Sequence, residues 1–161
     1  MQEHTAEIAV LANRLLGWPG DVEDITQDIF LAAYLGLKKF RCDCSLRSWL
    51  FTITINKCRS YRYKRMLQLK FSSRTADKAA FFARDLAADK TSMDCETFER
   101  VRRAIAALPP KYREPVVLRY LQELSTGEIG RILGISENSL QVRLSRARKR
   151  LRTELAELIE E

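Results

Sequence analysis

The sequence predicts an all-α fold of two small helical domains joined by a flexible linker, with a helix-turn-helix in the second. Three observations predict it. Apolar residues recur at three- and four-residue spacing along most of the chain, the period of an amphipathic helix, and no run alternates as a strand would. The pattern lapses between about Met66 and Asp94, in "SSRTADKAAFFARDLAADKTSMD", where charges and small residues surround an isolated Phe81-Phe82 pair. It then returns and ends in a short helix, a glycine turn and a longer basic helix. The expected division is 1–65, a linker over 66–96, and 97–161.

The elements follow in order. Ile8, Leu11, Leu15 and Leu16 share one face of a first helix, which "GWPG" stops with two glycines and a proline. Asp21 caps a second helix whose inner face is Ile25, Ile29, Ala33 and Leu37. "KKFRCDCS" reads as a loop. Ser45 caps a third helix with Leu46, Trp49, Leu50 and Ile53 inward. The 66–96 stretch reads as a mobile linker, or as a segment whose two phenylalanines order against a partner.

Beyond it, Phe98, Val101, Ile105 and Leu108 form a helix that "LPP" ends. Pro110 or its neighbours open the next, with Val116, Val117, Tyr120 and Leu121 inside. Ser125 and Glu128 have capping-box spacing at the start of a short helix through Leu133. Gly134 makes the turn, Ser136 caps, and a long helix carries the seam Leu140, Leu144, Ala147, Leu151, Leu155 and Leu158.

The chain has 161 residues, 30% of them charged and 46% hydrophobic, a mix suited to a soluble folded protein. A net charge of +7 asks for an anionic partner without naming it. No apolar run approaches the ~20 residues of a membrane span, and "MQEHTAEIAVLANRLLG" is unlike a signal peptide. The four cysteines form no CxxC pair and the one histidine, His4, is remote from them. Free thiols in a reducing cytoplasm are therefore expected, with no metal and no cofactor, and Cys42 and Cys44 read as small loop residues.

The long helix raises the functional question. Between its seam positions stand Arg143, Arg146, Arg148, Lys149, Arg150 and Arg152, with no acid until Glu154. A charge run alone is usually a solvated face. Here a capping box, a glycine turn, an apolar staple and a polar first turn (Ser136, Asn138, Ser139) agree on a helix-turn-helix, whose second helix enters the major groove. Arg143 and Arg146 can each donate twice to a guanine edge, and Lys149 suits phosphate.

The other half carries two further signals. "KCRSYRYKR", residues 57–65, sets five basic residues and two tyrosines in nine positions, a composition suited to unpaired nucleic acid; the plainer reading is a helix end favoured by cations. Upstream, "DVEDITQDIF" crowds Asp21, Glu23, Asp24 and Asp28, which would repel DNA and suits a basic protein surface.

Through these motifs the chain resembles the extracytoplasmic-function (ECF) class of bacterial RNA polymerase sigma factors over Leu11–Arg65 and Phe98–Leu155. "DVEDITQDIFLAAY" resembles the family's polymerase-binding helix, "FRCDCSLRSWLFTITINKCRSYRYKR" its minus-ten element, and "LPPKYREPVVLRYLQELSTGEIGRILGISENSLQVRLSRARKRL" its minus-thirty-five module. The resemblance implies that Asp21, Asp24, Gln27, Asp28 and Phe30 dock on the coiled coil of the largest subunit of core RNA polymerase. It implies that the loop Phe40, Arg41, Cys42, Asp43, Cys44 and Ser45 holds a flipped minus-ten base. Asn56, Lys57, Arg59, Tyr61 and Arg62 would line the separating strands. Ser136, Ser139, Gln141, Arg143, Ser145, Arg146 and Lys149 would face the minus-thirty-five groove. Trp49 matches a family position but reads as core.

The implied function is transcription initiation without catalysis, in the cytoplasm, with promoter DNA, core polymerase and an anti-sigma factor as partners. The departures are specific. Cys42 and Cys44 stand where the family usually has Gly and a small residue. Asn138-Ser139 replaces a common Gly-Thr, and Gln141-Val142 a basic-Ser pair. The family usually has a longer segment before the helix at Ile8. A dimeric helix-turn-helix regulator acting without core polymerase is the alternative; it leaves the acidic helix and the aromatic-basic stretch without a task. An adaptor with merely basic faces leaves the recognition helix unexplained.

Overall fold

The computed structural model describes residues 4–17, 22–71 and 93–156, and no strand occurs among them. Helices α1 (Thr5–Leu16), α2 (Val22–Gly36) and α3 (Leu46–Phe71) form the N-terminal set. Helices α4 (Met93–Ala107), α5 (Pro110–Val116), α6 (Thr126–Leu133) and α7 (Glu137–Glu154) form the C-terminal set. The all-α class stands, with the helix-turn-helix in the second set.

In α1, Ile8, Leu11, Leu15 and Leu16 are buried as the spacing predicts, with Ala12 beside them. Gly17 ends the helix at φ +73°, a left-handed cap that glycine adopts without strain. A Cβ there would also lie 3.3 Å from that of Ala106 in α4, so the residue sits at a close approach of the two sets. The rest of the "GWPG" break, and Asp21 as a cap, lie outside the described residues, as do Phe81, Phe82 and Leu158.

Helix α2 buries Ile25, Ile29 and Ala33. Leu37 does not join them. The helix stops at Gly36 and tightens into a 3-10 turn over Leu37–Lys39, which takes Leu37 out of register and leaves it 47% exposed.

Ser45 caps α3 as expected, its hydroxyl accepting from the Ser48 N–H at 3.1 Å. The buried face is rotated from the one predicted. Leu50 is buried and Trp49 and Ile53 pack partly on the core as predicted, but Leu46 is exposed, and Phe51, Ile55 and Cys58 join the contact. Thr54, also buried, donates its hydroxyl to the Leu50 carbonyl at 2.8 Å. The rotation follows from α3 packing on α1, α2 and α6 together. The helix also runs past residue 65 to Phe71, so "KCRSYRYKR" is mid-helix and a helix-end preference for cations does not account for it.

In the second set, Phe98 is 68% exposed against expectation, while Ala104 and Leu108 are buried. Both lie in the C-terminal half of the helix or just beyond it. Pro109 and Pro110 separate α4 from α5 as predicted. After Pro115, which has no N–H to give, the backbone widens into a π turn over Val117–Leu121, with the Gln122 N–H donating to the Val117 carbonyl at 3.1 Å. The widening shifts the register. Leu118 turns inward beside Val116 and Val117, and Tyr120 and Leu121, expected inside, are exposed.

The helix-turn-helix forms as read. The Ser125 hydroxyl accepts from the Glu128 N–H at 3.3 Å, and the Glu128 carboxylate accepts from the Ser125 N–H at 3.0 Å. Gly134 turns at φ +67°, and Ser136 caps α7 by accepting from the Ser139 N–H at 3.3 Å. Ile129, Ile132 and Leu133 pack with Leu140, Leu144 and Ala147, and Ile135 and Leu151 close the edges. The two helical sets share one continuous buried core.

Candidate nucleic-acid and protein interfaces

Three surfaces carry the expected site residues. On α7 the seam Leu140–Leu144–Ala147 fixes which side faces out. At about 100° per residue, Asn138, Val142, Ser145 and Lys149 stand opposite the seam. Gln141 and Arg148 lie on one flank, Ser139 and Arg146 on the other, and all eight are exposed. Arg143 is half-buried near the seam. Ser136 is occupied by capping and by a 3.1 Å bond to the Ser139 hydroxyl. A stripe of small polar groups flanked by cations is the form that enters a major groove.

Arg146 and Lys149 share an open groove with Tyr112, Arg150 and Thr153. Arg146, with Lys111, favours the phenolate of Tyr112 and holds its phenol below its usual range against the opposing effect of burial. The Lys111 ammonium and the Arg150 guanidinium lie 4.9 and 5.2 Å from the Tyr112 ring centroid, within cation–π range. This ring sets the side chains of the basic flank. Sequence periodicity placed it nowhere, because Arg146 and Arg150 come from another helix.

The acidic helix shows a second stripe. Asp24, Gln27 and Asp28 are exposed on successive turns of α2, and Leu31, Tyr34 and Leu35 continue the same side at 58%, 68% and 68% exposure. Phe30 turns away and packs against the core. The apolar half of this stripe was missed by a reading that followed charge; the signal was there, since these residues fall off the Ile25–Ile29–Ala33 seam. Asp21 lies outside the described residues.

The third surface is the loop before α3 and the middle of α3. Phe40 tilts against Trp49 with ring centroids 5.1 Å apart, which makes Trp49 a partly buried support. Arg41, Cys42, Asp43 and Ser45 are exposed and Cys44 is half-buried. Cys42 takes φ +59°, a conformation that costs any residue but glycine. Cys42, Cys44 and Cys58 are free thiols; burial pushes that of Cys58 up to about 12, Arg62 opposing and Glu114 assisting.

On α3, Asn56 is exposed, Lys57 is half-buried, and Tyr61 packs on the core while its hydroxyl accepts from Arg65 at 2.8 Å. Arg59 and Arg62 point elsewhere than expected. Both pair with Glu114 of α5, at 2.7 and 2.5 Å.

Among the described residues no helix is long and apolar enough to cross a membrane, and no His, Cys, Asp and Glu group could hold a metal ion.

These surfaces coincide with two family descriptions: residues 1–67 match sigma-70 region 2 and residues 98–151 match sigma-70 region 4. The ECF RNA polymerase sigma factor SigW of Bacillus subtilis is 30% identical over 158 residues, spanning 94% of this chain and 84% of that protein. The chain belongs to the ECF sigma factors.

Other relatives agree. The sigma factor CnrH of Cupriavidus metallidurans is 33% identical over 87% of this chain and 76% of its own, and the sigma-E factor of Escherichia coli K12 is 30% identical over 95% and 83%. The solved structure of CnrH with the cytosolic domain of CnrY superposes with a TM-score of 0.67 at 29% identity, over 96% of this chain and 84% of that one. The sigma factor RpoE of Bartonella quintana, solved with the anti-sigma factor NepR, shares the fold with a TM-score of 0.80 at 24% identity, over 96% and 95%. This sigma factor directs core RNA polymerase to promoters, and a regulator acting without polymerase is not favoured.

Proposed function

We propose that the sigma factor divides its work among the three surfaces as follows. The α2 stripe of Asp24, Gln27 and Asp28, extended by Leu31, Tyr34 and Leu35, docks on the coiled coil of the polymerase's largest subunit, with Asp21 and Phe30 at its margins. An acidic row beside exposed apolar side chains fits a basic protein helix and repels DNA. The loop Phe40–Ser45 takes up a flipped minus-ten base. Asn56, Lys57, Arg59, Tyr61 and Arg62 follow the separating strands, where cations and aromatic rings suit unpaired nucleic acid. The module 1–65 thus reads the minus-ten element, 66–96 connects, and 97–161 reads the minus-thirty-five element through α7.

The observation that carries this reading is the outward face of α7. Its centre is Asn138, Val142, Ser145 and Lys149, its flanks are cationic, and an apolar seam locks its orientation. Each module alone offers few base contacts; held together on one polymerase they act in concert, because tethering raises the effective concentration of the second. The work is recognition and capture of unpaired bases, without covalent chemistry, and it belongs in the cytoplasm with the polymerase. An anti-sigma factor is a further partner, supported by the CnrH relative solved with CnrY.

The test is transcription with purified core polymerase on a pool of promoter fragments, with and without the chain. Initiation from a defined subset that depends on the chain is expected. Tight duplex binding by the chain alone with no stimulation would sink the reading.

A further inference from the structure

The loop Phe40–Ser45 holds two cysteines one residue apart, and nothing in the capture of a base calls for a thiol. Cys42 is exposed and Cys44 half-buried. Cys58 is the contrast. It is buried in α3, and burial pushes its thiol up to about 12, which keeps it protonated and unreactive at neutral pH.

Small size does not account for the pair. Cys42 stands at φ +59°, a conformation that glycine takes without strain and that a residue with a Cβ resists. A mere filler at that position would be glycine. A strained residue in a working loop directs attention to what its side chain does.

Geometry allows the two sulfurs to meet. Two residues apart, Cα atoms lie at most about 7 Å from each other in an extended chain. The chain bends at Cys42, Asp43 and Cys44, which shortens that span. Disulfides bridge Cα atoms about 4.4–6.8 Å apart, so the pair can close by a change within the loop alone.

We propose that Cys42 and Cys44 are a thiol pair oxidised by hydrogen peroxide, and that their disulfide stops the loop from taking up a minus-ten base. The Cys42 sulfur attacks one peroxide oxygen; the O–O bond breaks, water leaves, and the sulfur becomes a sulfenic acid. The Cys44 sulfur then attacks it; the S–S bond forms, the S–O bond breaks, and a second water leaves. Two thiols and one peroxide give one disulfide and two waters, and two electrons pass from sulfur to oxygen. Strained, exposed disulfides are the readily reduced ones, so a dithiol reverses the change. The bond draws Cys42 and Cys44 together around Asp43 and reshapes the centre of the loop, while duplex reading by α7 is untouched. The effect on initiation rests on the assignment of the loop to the flipped base; formation of the bond does not.

The test treats the full reduced chain with graded hydrogen peroxide, removes the peroxide with catalase, and divides the sample. Non-reducing peptide mass spectrometry should find Cys42 and Cys44 joined within one peptide, lighter by two hydrogens, and Cys58 still a thiol. Initiation with core polymerase should fall about tenfold, the scale of one base of a site no longer read, and return with dithiothreitol. Binding of a duplex minus-thirty-five fragment should not change. Cys44→Ser, judged against its own reduced sample, should lose the response to peroxide and to dithiothreitol. Loop cysteines that stay reduced, or that bond instead to Cys95 or to a second chain, overturn the thiol pair. An equal fall in Cys44→Ser, or in duplex binding, overturns the switch, since damage elsewhere then explains the loss. A Cys42–Cys44 bond that leaves initiation unchanged overturns both the switch and the assignment of the loop to the flipped base.

Discussion

The Arg113 guanidinium donates to the Leu15 carbonyl at 2.9 Å, across 98 residues of sequence. It also bonds the Leu16, Ala106 and Leu108 carbonyls, so one side chain closes the C-terminal ends of α1 and α4. Burial pulls its pKa down to about 10, with Arg62 adding to the fall and Glu114 opposing it; it stays charged at neutral pH.

Arg113→Met should therefore cost stability well beyond a surface change. It keeps the side-chain bulk and leaves carbonyls at two helix ends without a donor, each worth about 1–3 kcal/mol when buried. The expected loss is about 3 kcal/mol in urea unfolding. A midpoint shift equivalent to less than about 0.5 kcal/mol, the scale of ordinary surface substitutions, would show that water replaces the guanidinium.

The capping box on α6 predicts a pH signature. Hydrogen bonds from the Ser125 hydroxyl and N–H hold the Glu128 carboxyl below its usual value of 4.5. A depressed folded value means the contribution is fully present above 4.5 and fades as pH falls through the folded value. Ser125→Ala should cost about 1 kcal/mol at neutral pH, and the gap between variant and parent should narrow in acid. A gap independent of pH would separate the cap from the carboxylate.

Cys42 offers a change in the other direction. Its φ of +59° costs a residue with a Cβ about 1–2 kcal/mol that glycine does not meet. Cys42→Gly should raise stability by about 1 kcal/mol once the added chain entropy of glycine is set against that strain. Thermal unfolding decides it, and a lower midpoint would mean the thiol makes a contact that offsets the strain.

What was legible in the sequence were features whose partners lie close along the chain. The α1 seam, Ser45, the Ser125–Glu128 box, Gly134 and the α7 seam all depend on neighbours within a few turns. The misreadings arose where something local changed the register: Leu37 at a 3-10 turn, Tyr120 and Leu121 after the π turn. Leu46 opens α3 and Phe98 lies in the first half of α4, and both are exposed. Glu114 and Arg113 were invisible for a different reason. Nothing local in "PKYREP" marks them as buried: the partners of Glu114 come from the other helical set, and those of Arg113 from the ends of helices in both sets. The site residues on α7 were readable because a basic face opposite a seam is local; the occupation of Arg59 and Arg62 was not.

The two basic positions on α7 should behave differently on duplex DNA. Arg146 flanks the polar stripe and lines a groove with Tyr112, whereas Lys149 sits at the stripe's far end among exposed cations. Arg146→Ala should cost about 1–3 kcal/mol and relax preference at one base position. Lys149→Ala should weaken all sequences alike and lower the salt slope by about 1. Binding to a promoter fragment and to its scrambled form, across a salt series, separates the two outcomes. Equal losses on both fragments for Arg146→Ala would make it a phosphate contact.

The α2 stripe can be tested without touching α7. Asp28 is exposed and its reversal to lysine faces no neighbour in the core. Asp28→Lys should weaken binding to core polymerase by at least about tenfold, the scale of 1.4 kcal/mol, because it sets like charge against a basic partner helix. Leu31→Ser should weaken it too, through lost apolar contact at a residue 58% exposed in the free chain. Duplex binding through α7 should be unchanged in both, which makes the unaltered module an internal control for folding. Polymerase binding that survives Asp28→Lys but falls with Leu31→Ser would shift the interface onto the apolar half of the stripe. Survival of both would remove α2 from it.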